Sequence, residues 1–111
     1  MISFVIPVYN SALILPDLYR RIVTVFSGDS FELIFVEDGS SDNSWNVIEL
    51  LSSADNRVQG SRMSRNYGQH NALLCGIRQA SGDIIVTLDD DLQHPPEEIP
   101  KLLNLLKKEC D

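Results

Sequence analysis

The chain has 111 residues, 43% hydrophobic and 23% charged, enough for one globular domain with a core and too few for two. Its formal net charge of −7 excludes broad electrostatic binding of nucleic acid, which needs a basic surface; an acidic protein that handles phosphates would want a metal. MISFVIPVYN carries no basic leader, and no run reaches the roughly 18 apolar residues of a bilayer span, so neither export nor membrane crossing is expected. In chain order, strands are expected over 2–8, 31–37, 57–63 and 83–89, the third being the weakest. Helices are expected over 14–27, 43–54, 68–80 and 96–109. Pro16 suits a first helical turn, Ser41 or Asp42 suits a cap of the second helix, and Pro95 and Pro96 followed by Glu97 and Glu98 mark the start of the last. Trp45 and the LLCGI stripe at 73–77 read as core. Cys75 and Cys110 lack metal-ligand spacing and read as two unlinked thiols in a reducing compartment.

Alternating strands and helices imply an α/β fold with a mainly parallel sheet covered by helices. Right-handed crossovers bring all the loops that follow strands to one edge of such a sheet, where ligands bind. Here those loops are VYNS, EDGSSDNS, SRNYGQHN and DDDLQHPP, each polar. The alternation stops on a helix without a further strand, which reads as a truncated domain.

Asp89, Asp90 and Asp91 close the apolar run DIIVTL. Adjacent like charges repel unless a cation lies among them, and hard divalent ions take such oxygen ligands while leaving room for phosphates. By position alone the triplet reads equally as a solvated turn before a helix or as a metal site. On an extended segment Asp90 points away from Asp89 and Asp91. No GxxxxGK[ST] or GxGxxG loop is present to hold phosphate, so a metal on Asp89 or Asp91 is the candidate holder. Asp38 is a candidate for a base or ribose contact, the alternative being that it only starts the turn DGSSD, and Glu37 faces away from it. Tyr9 is a candidate for packing beside a base, with backbone groups near Pro7 and Val8, or else a core or rim aromatic. Arg65 is a candidate fork donor to phosphate. His70 and His94 read as hydrogen-bonding loop or helix-start residues rather than acid–base catalysts, and Gln69 completes the polar inventory.

IPVYN, VEDGSSDNS, SRNYGQHNAL and GDIIVTLDDDLQHPPEEIP, in this order and spacing, resemble the inverting family 2 glycosyltransferases of GT-A fold, closest to polyprenyl-phosphate sugar transferases such as dolichyl-phosphate mannose synthases and undecaprenyl-phosphate glycosyltransferases. The resemblance covers essentially the whole chain. It implies the N-terminal, nucleotide-sugar-binding half of a Rossmann-like GT-A domain over 1–111. Pro7, Tyr9, Val36 and Asp38 would line the base and ribose. Asp89 and Asp91 match the DxD motif, Gln93 falls on a further metal or diphosphate contact, and Asp90 lines the nucleotide beside them. Implied partners are Mg²⁺ or Mn²⁺ on Asp89, Asp91 and Gln93, a UDP, GDP or dTDP sugar, and a polyprenyl-phosphate or saccharide acceptor.

The implied reaction is hexosyl transfer with inversion, in cell-envelope polysaccharide synthesis at the cytoplasmic face of a membrane. Ser11 stands where the family usually has Glu, which removes one expected nucleotide contact. The usual base, a basic diphosphate contact, the acceptor half and any membrane helices would lie beyond residue 111, so the 111 residues alone are expected not to turn over. The competing expectation is a non-catalytic nucleotide-binding or interaction fragment that needs a missing half, a partner or a second copy. Receiver-type and haloacid-dehalogenase-type phosphoryl-transfer domains fit less well, because their acids follow other strands.

Overall fold

The computed structural model describes residues 1–64, 68–88 and 96–98. Among them, β1 (Ile2–Val8) and β2 (Phe31–Glu37) coincide with the expected strands and pair in parallel, Ile2 beside Phe31 through Val8 beside Glu37. β3 (Val58–Arg62) and β4 (Ile84–Thr87) are shorter than expected and flank them, giving the all-parallel order β3-β2-β1-β4. The connecting helices α1 (Leu15–Val25), α2 (Ser44–Ala54) and α3 (Gln69–Gln79) fall within the expected segments. Of the expected last helix, Pro96–Glu98 forms a 3₁₀ turn and residues 99–109 lie outside the described residues.

Successive side chains of a strand point to opposite faces, so β1 and β2, nearly all apolar, feed two layers. Phe4, Ile6, Leu33 and Phe35 meet Leu15, Leu18 and Ile22 of α1 and Ile48 of α2 in one core. Val5, Ile34 and Val36 meet Ala72 of α3 in the other. Full burial of each large apolar side chain contributes about 1.5–3 kcal/mol. α3 comes so near the sheet that a Cβ on Gly76 would stand 2.4 Å from Val5 Cγ1 and 3.1 Å from Val36 Cγ2, and only glycine fits there.

Pro16 sits in the first turn of α1 as expected. Neither expected residue takes the N-cap position of α2: Asn43 does, without a side-chain bond, while Asp42 Oδ1 accepts the Ser44 amide at 3.0 Å. The LLCGI stripe is split rather than wholly core. α3 turns Ala72 and Gly76 to the sheet, and this leaves Leu74 and Ile77 partly in solvent. Trp45 is half-buried against the first core, and Cys75 is a free thiol. Cys110 lies outside the described residues.

A buried polar group ties the opposite, N-terminal edge of the sheet. Glu32 accepts the Ser3 hydroxyl at 2.6 Å, the Ser81 amide at 2.7 Å and Gln59 Nε2 at 2.9 Å, while Ser3 Oγ accepts the Gly82 amide at 2.8 Å. A carboxylate this buried persists because donors surround it.

Candidate functional site

All the described strands run the same way, so their carboxyl ends share one edge. From β1 the chain steps through α1 to β2 and through α2 to β3 with both helices on one face; α3 then returns it across the other face to β4, on the far side of β1. The direction of winding reverses between β1 and β4, and the crevice outside their carboxyl ends is where an open α/β sheet binds a ligand. Bonds just past the strands hold this edge: Asp38 N to Val8 O at 2.9 Å, Met63 N to Glu37 O at 2.9 Å and Leu88 N to Val5 O at 3.0 Å.

Asp38, on the α3 face, is almost fully buried and its Oδ2 accepts the Gly68 amide at 3.0 Å. Glu37 faces the other way, as expected. Its Oε1 accepts the Ser40 amide, and its Oε2 lies 3.4 Å from Arg62 Nε without a hydrogen-bond partner. Arg62 in turn stacks over the Trp45 ring at 5.6 Å, leaving Glu37 with a partly exposed ion-pair partner. Tyr9, at 50% exposure, projects from the end of β1, and Pro7 is buried. The Val36 side chain is fully buried with Val5 and Ala72, so it supports the edge from the core side. His70 is exposed in the first turn of α3. Arg65, Asp89, Asp90, Asp91, Gln93 and His94 lie outside the described residues.

Sequence reasoning grouped the loops after β1 and β2 but missed the clasp that joins them. Asn10 adopts φ 51°, a left-handed conformation that Asn tolerates better than most residues. Its Oδ1 accepts the Ser41 amide at 2.8 Å, the Ser41 hydroxyl at 3.2 Å and the Asp42 amide at 3.4 Å, and its own amide donates to Ser40 Oγ at 2.9 Å. Ser11 donates its amide to Ser44 Oγ at 2.9 Å and its hydroxyl to Tyr9 O at 3.0 Å, so this unusual residue closes the loop. Asp42 Oδ2 accepts the Ala12 amide at 3.2 Å. Burial works against the Asp42 carboxylate, but the Ser44 hydroxyl and the amides of Ala12 and Ser44 outweigh it and hold its pKa below the ordinary value. The signal in the sequence was an Asn followed some 30 positions later by a Ser/Asp turn, a pairing that local pattern does not reveal.

Two clefts lined by described residues lie elsewhere. One of about 600 Å³ runs along α3 past Met63, Leu74, Cys75 and Arg78, and another of about 210 Å³ lies between Trp45, Glu49 and Gly60. Neither is lined by Tyr9 or Asp38. Among the described residues no three His, Cys, Asp or Glu side chains gather as a metal group. None of the described helices is long and apolar enough to cross a membrane.

The chain is 49% identical over 105 residues to an undecaprenyl-phosphate 4-deoxy-4-formamido-L-arabinose transferase of Shewanella sediminis, an alignment covering 92% of this chain and 32% of that protein. Its fold matches a mannosyltransferase of Pyrobaculum calidifontis, solved in complex with GDP-Man and Mn²⁺, at TM-score 0.80 and 20% identity over 99% of this chain and 32% of the other. It also matches glucosyl-3-phosphoglycerate synthase of Mycobacterium tuberculosis, solved with Mn²⁺, UDP-glucose and phosphoglyceric acid, at TM-score 0.66 and 24% identity over 96% of this chain and 39% of the other. Likeness at these identities shows the shared α/β fold of the amino-terminal part of GT-A transferases. The chain thus spans about a third of the length of these relatives. With the profile of glycosyl transferase family 2 matching residues 3–111, the chain belongs to that family.

Proposed function

We propose that these residues form the nucleotide-sugar-binding half of an inverting glycosyltransferase that passes a glycosyl group to a polyprenyl phosphate. The observation that carries this reading is the crevice between β1 and β4: Leu88 is bound to Val5 O at its margin, and the acidic DDDLQ sequence follows at once. The relative at 49% identity is named for undecaprenyl phosphate and for an arabinose derivative. That sugar is a pentose, so a 4-substituted arabinosyl group replaces the hexosyl group as the favoured donor moiety.

Asp89, Asp91 and Gln93 supply only oxygen donors, which suits a hard ion such as Mg²⁺ or Mn²⁺. When bound, the ion would offset charge on the diphosphate leaving group. Asp38 and Tyr9 bound the base and ribose side, with Pro7 and Val36 behind them and Asp90 beside the ion; Arg65 is a further diphosphate contact. In this reading the base and acceptor site come from polypeptide outside these residues, the whole protein works at the cytoplasmic face of a membrane, and the 111 residues alone do not turn over.

Calorimetry and thermal shift with UDP, GDP and dTDP, with and without Mn²⁺, test the donor site. Stabilisation by one nucleotide that depends on Mn²⁺ and is lost in Asp89→Asn is expected. Metal-independent binding that survives Asp89→Asn would sink the metal role. A second reading, that binding needs a partner or a second copy, is favoured by β4, which carries Ile84 and Ile85 about 40% exposed at the end of the described sheet. Sedimentation with and without nucleotide separates the two readings, since only the second requires the mass to rise.

A further inference from the structure

Tyr9 and Asp38 follow the last paired residues of β1 and β2. Val8 lies beside Glu37 in the register, and Asp38 N donates to Val8 O at 2.9 Å. One residue farther along each loop the two meet again, where Asn10 N donates to Ser40 Oγ at 2.9 Å. These bonds close a short ring, with Val8, Tyr9 and Asn10 on one side and Asp38, Gly39 and Ser40 on the other. Tyr9 is thus the single residue between two ties.

The ladder alone would leave it looser, since residues past a strand end ordinarily move with their loop. At φ 51° Asn10 turns both its amide and its side chain to the second loop. Its Oδ1 accepts the Ser41 amide and hydroxyl and the Asp42 amide. Ser11, next along, donates its hydroxyl to Tyr9 O at 3.0 Å and its amide to Ser44 Oγ at 2.9 Å. Asn10 is exposed, and hydrogen bonds that replace bonds to water add only about 0.5–1.5 kcal/mol each to stability. Their larger effect is order. Tyr9 stands half exposed at the end of β1, beside the crevice where the winding reverses, and an aromatic ring at such a place is suited to stack on a planar base. A ring held before the ligand arrives loses less freedom on binding.

We propose that Asn10 is a positioning residue for the nucleotide: by tying the β1 loop to the turn at 40–42 it holds Tyr9 beside Asp38 on the base side of the crevice. The inference rests on the reading above that this edge takes a nucleotide sugar. It adds a residue whose side-chain oxygen is committed to the protein and which acts through Tyr9.

The test is calorimetric titration of UDP, GDP and dTDP, each with MnCl₂, at a temperature well below every melting point. Asn10→Gly keeps the left-handed turn without the side chain, and Ser40→Ala removes the partner of the Asn10 amide from the other loop. Each is measured alone and combined with Tyr9→Ala, beside Tyr9→Ala and the wild type. For the nucleotide that the wild type binds most tightly, Asn10→Gly and Ser40→Ala should each weaken binding about three- to tenfold, the affinity equivalent of ordering one side chain. Tyr9→Ala should weaken it at least as much, and neither second substitution should add a further loss, because the residue they position is gone. A general loosening of the fold would instead lower affinity by the same factor with or without the ring. Wild-type affinity in Asn10→Gly or in Tyr9→Ala, or an undiminished loss in the Tyr9→Ala background, overturns the positioning role and leaves the nucleotide site standing. Failure of the wild type to bind any of the three overturns the nucleotide reading and this inference together.

Discussion

The carboxylate of Asp38, at the end of β2, accepts the backbone amide of Gly68, which stands at the N-cap of α3 with φ 95° and ψ 156°. One bond thus fixes where the second strand ends and where the third helix begins. Because α3 is the crossover that delivers β4 to the far side of β1, this contact helps set the walls of the crevice.

Gly68→Ala should cost about 1–3 kcal/mol, since that backbone region is essentially reserved for glycine. No atom stands within 4 Å of the added methyl group, so the cost is conformational rather than steric. Asp38→Ala should cost a similar ~1–3 kcal/mol by removing the acceptor that meets this amide, while Asp38→Asn keeps an acceptor and most of the stability. Urea denaturation checks all three. If Asp38 also meets the base or ribose, Asp38→Asn should weaken nucleotide binding more than it weakens the fold.

Asn10 combines a left-handed backbone with an acceptor for three bonds, and substitutions can separate the two roles. Asn10→Gly keeps the conformation and loses the clasp. Asn10→Ala loses both, and should be less stable than the glycine variant by about 1–2 kcal/mol, the strain of a Cβ in this region. Amide exchange should quicken at Ser41 and Asp42 in both variants. Equal stability of Gly and Ala at position 10 would show that the conformation is not strained.

The central strands were readable because ISFVIPV and FELIFVE are nearly continuous apolar runs, the pattern of strands buried on both faces. Their polar members made sense only in three dimensions. Ser3 and Glu32 stand opposite each other in the register and bond across it, which no local window contains. The helical stripe at 73–77 had the right period, but which of its flanks the sheet covers depends on the approach that Gly76 permits. Likewise the polar loops announced an edge, while the pairings of Asn10 with Ser41 and of Asp38 with Gly68 join residues about 30 apart.

A pH-dependent contribution comes from the turn after α2. Arg57 donates to the Asp55 carboxylate through its guanidinium and its amide, and Tyr19 donates its hydroxyl at 2.8 Å. The guanidinium first, opposed by burial and aided by the amide and phenol, holds the Asp55 pKa well below the ordinary carboxylate value. The Tyr19 pKa is raised, chiefly by its bond to Asp55. A depressed Asp pKa adds stability that is complete above an unfolded value of about 3.9 and is lost as pH falls through the folded one. A raised Tyr pKa adds stability present below about 10 and lost as pH rises through the folded value. Asp55→Asn should therefore flatten the acid side of the stability profile, and Tyr19→Phe the alkaline side. Parallel wild-type and variant profiles in urea melts from pH 2 to 11 would refute this.

Glu32 offers the complementary control, because its network lies at the strand ends opposite the crevice. Glu32→Ala removes the acceptor for Ser3, Gln59 and Ser81 at once. The two side chains can turn to other partners; the Ser81 amide is fixed by the turn into β4. The loss should be at least the ~1–3 kcal/mol of one unpaired buried amide. Glu32→Gln keeps the volume but turns an NH₂ group towards donors on every side, so it should recover less than half of that loss. Nucleotide affinity, measured well below the lowered melting temperature, should stay at the wild-type value in both. If it falls in step with stability, a loss of nucleotide binding in Asp38→Asn would have to be read as general loosening of the sheet instead of a local contact.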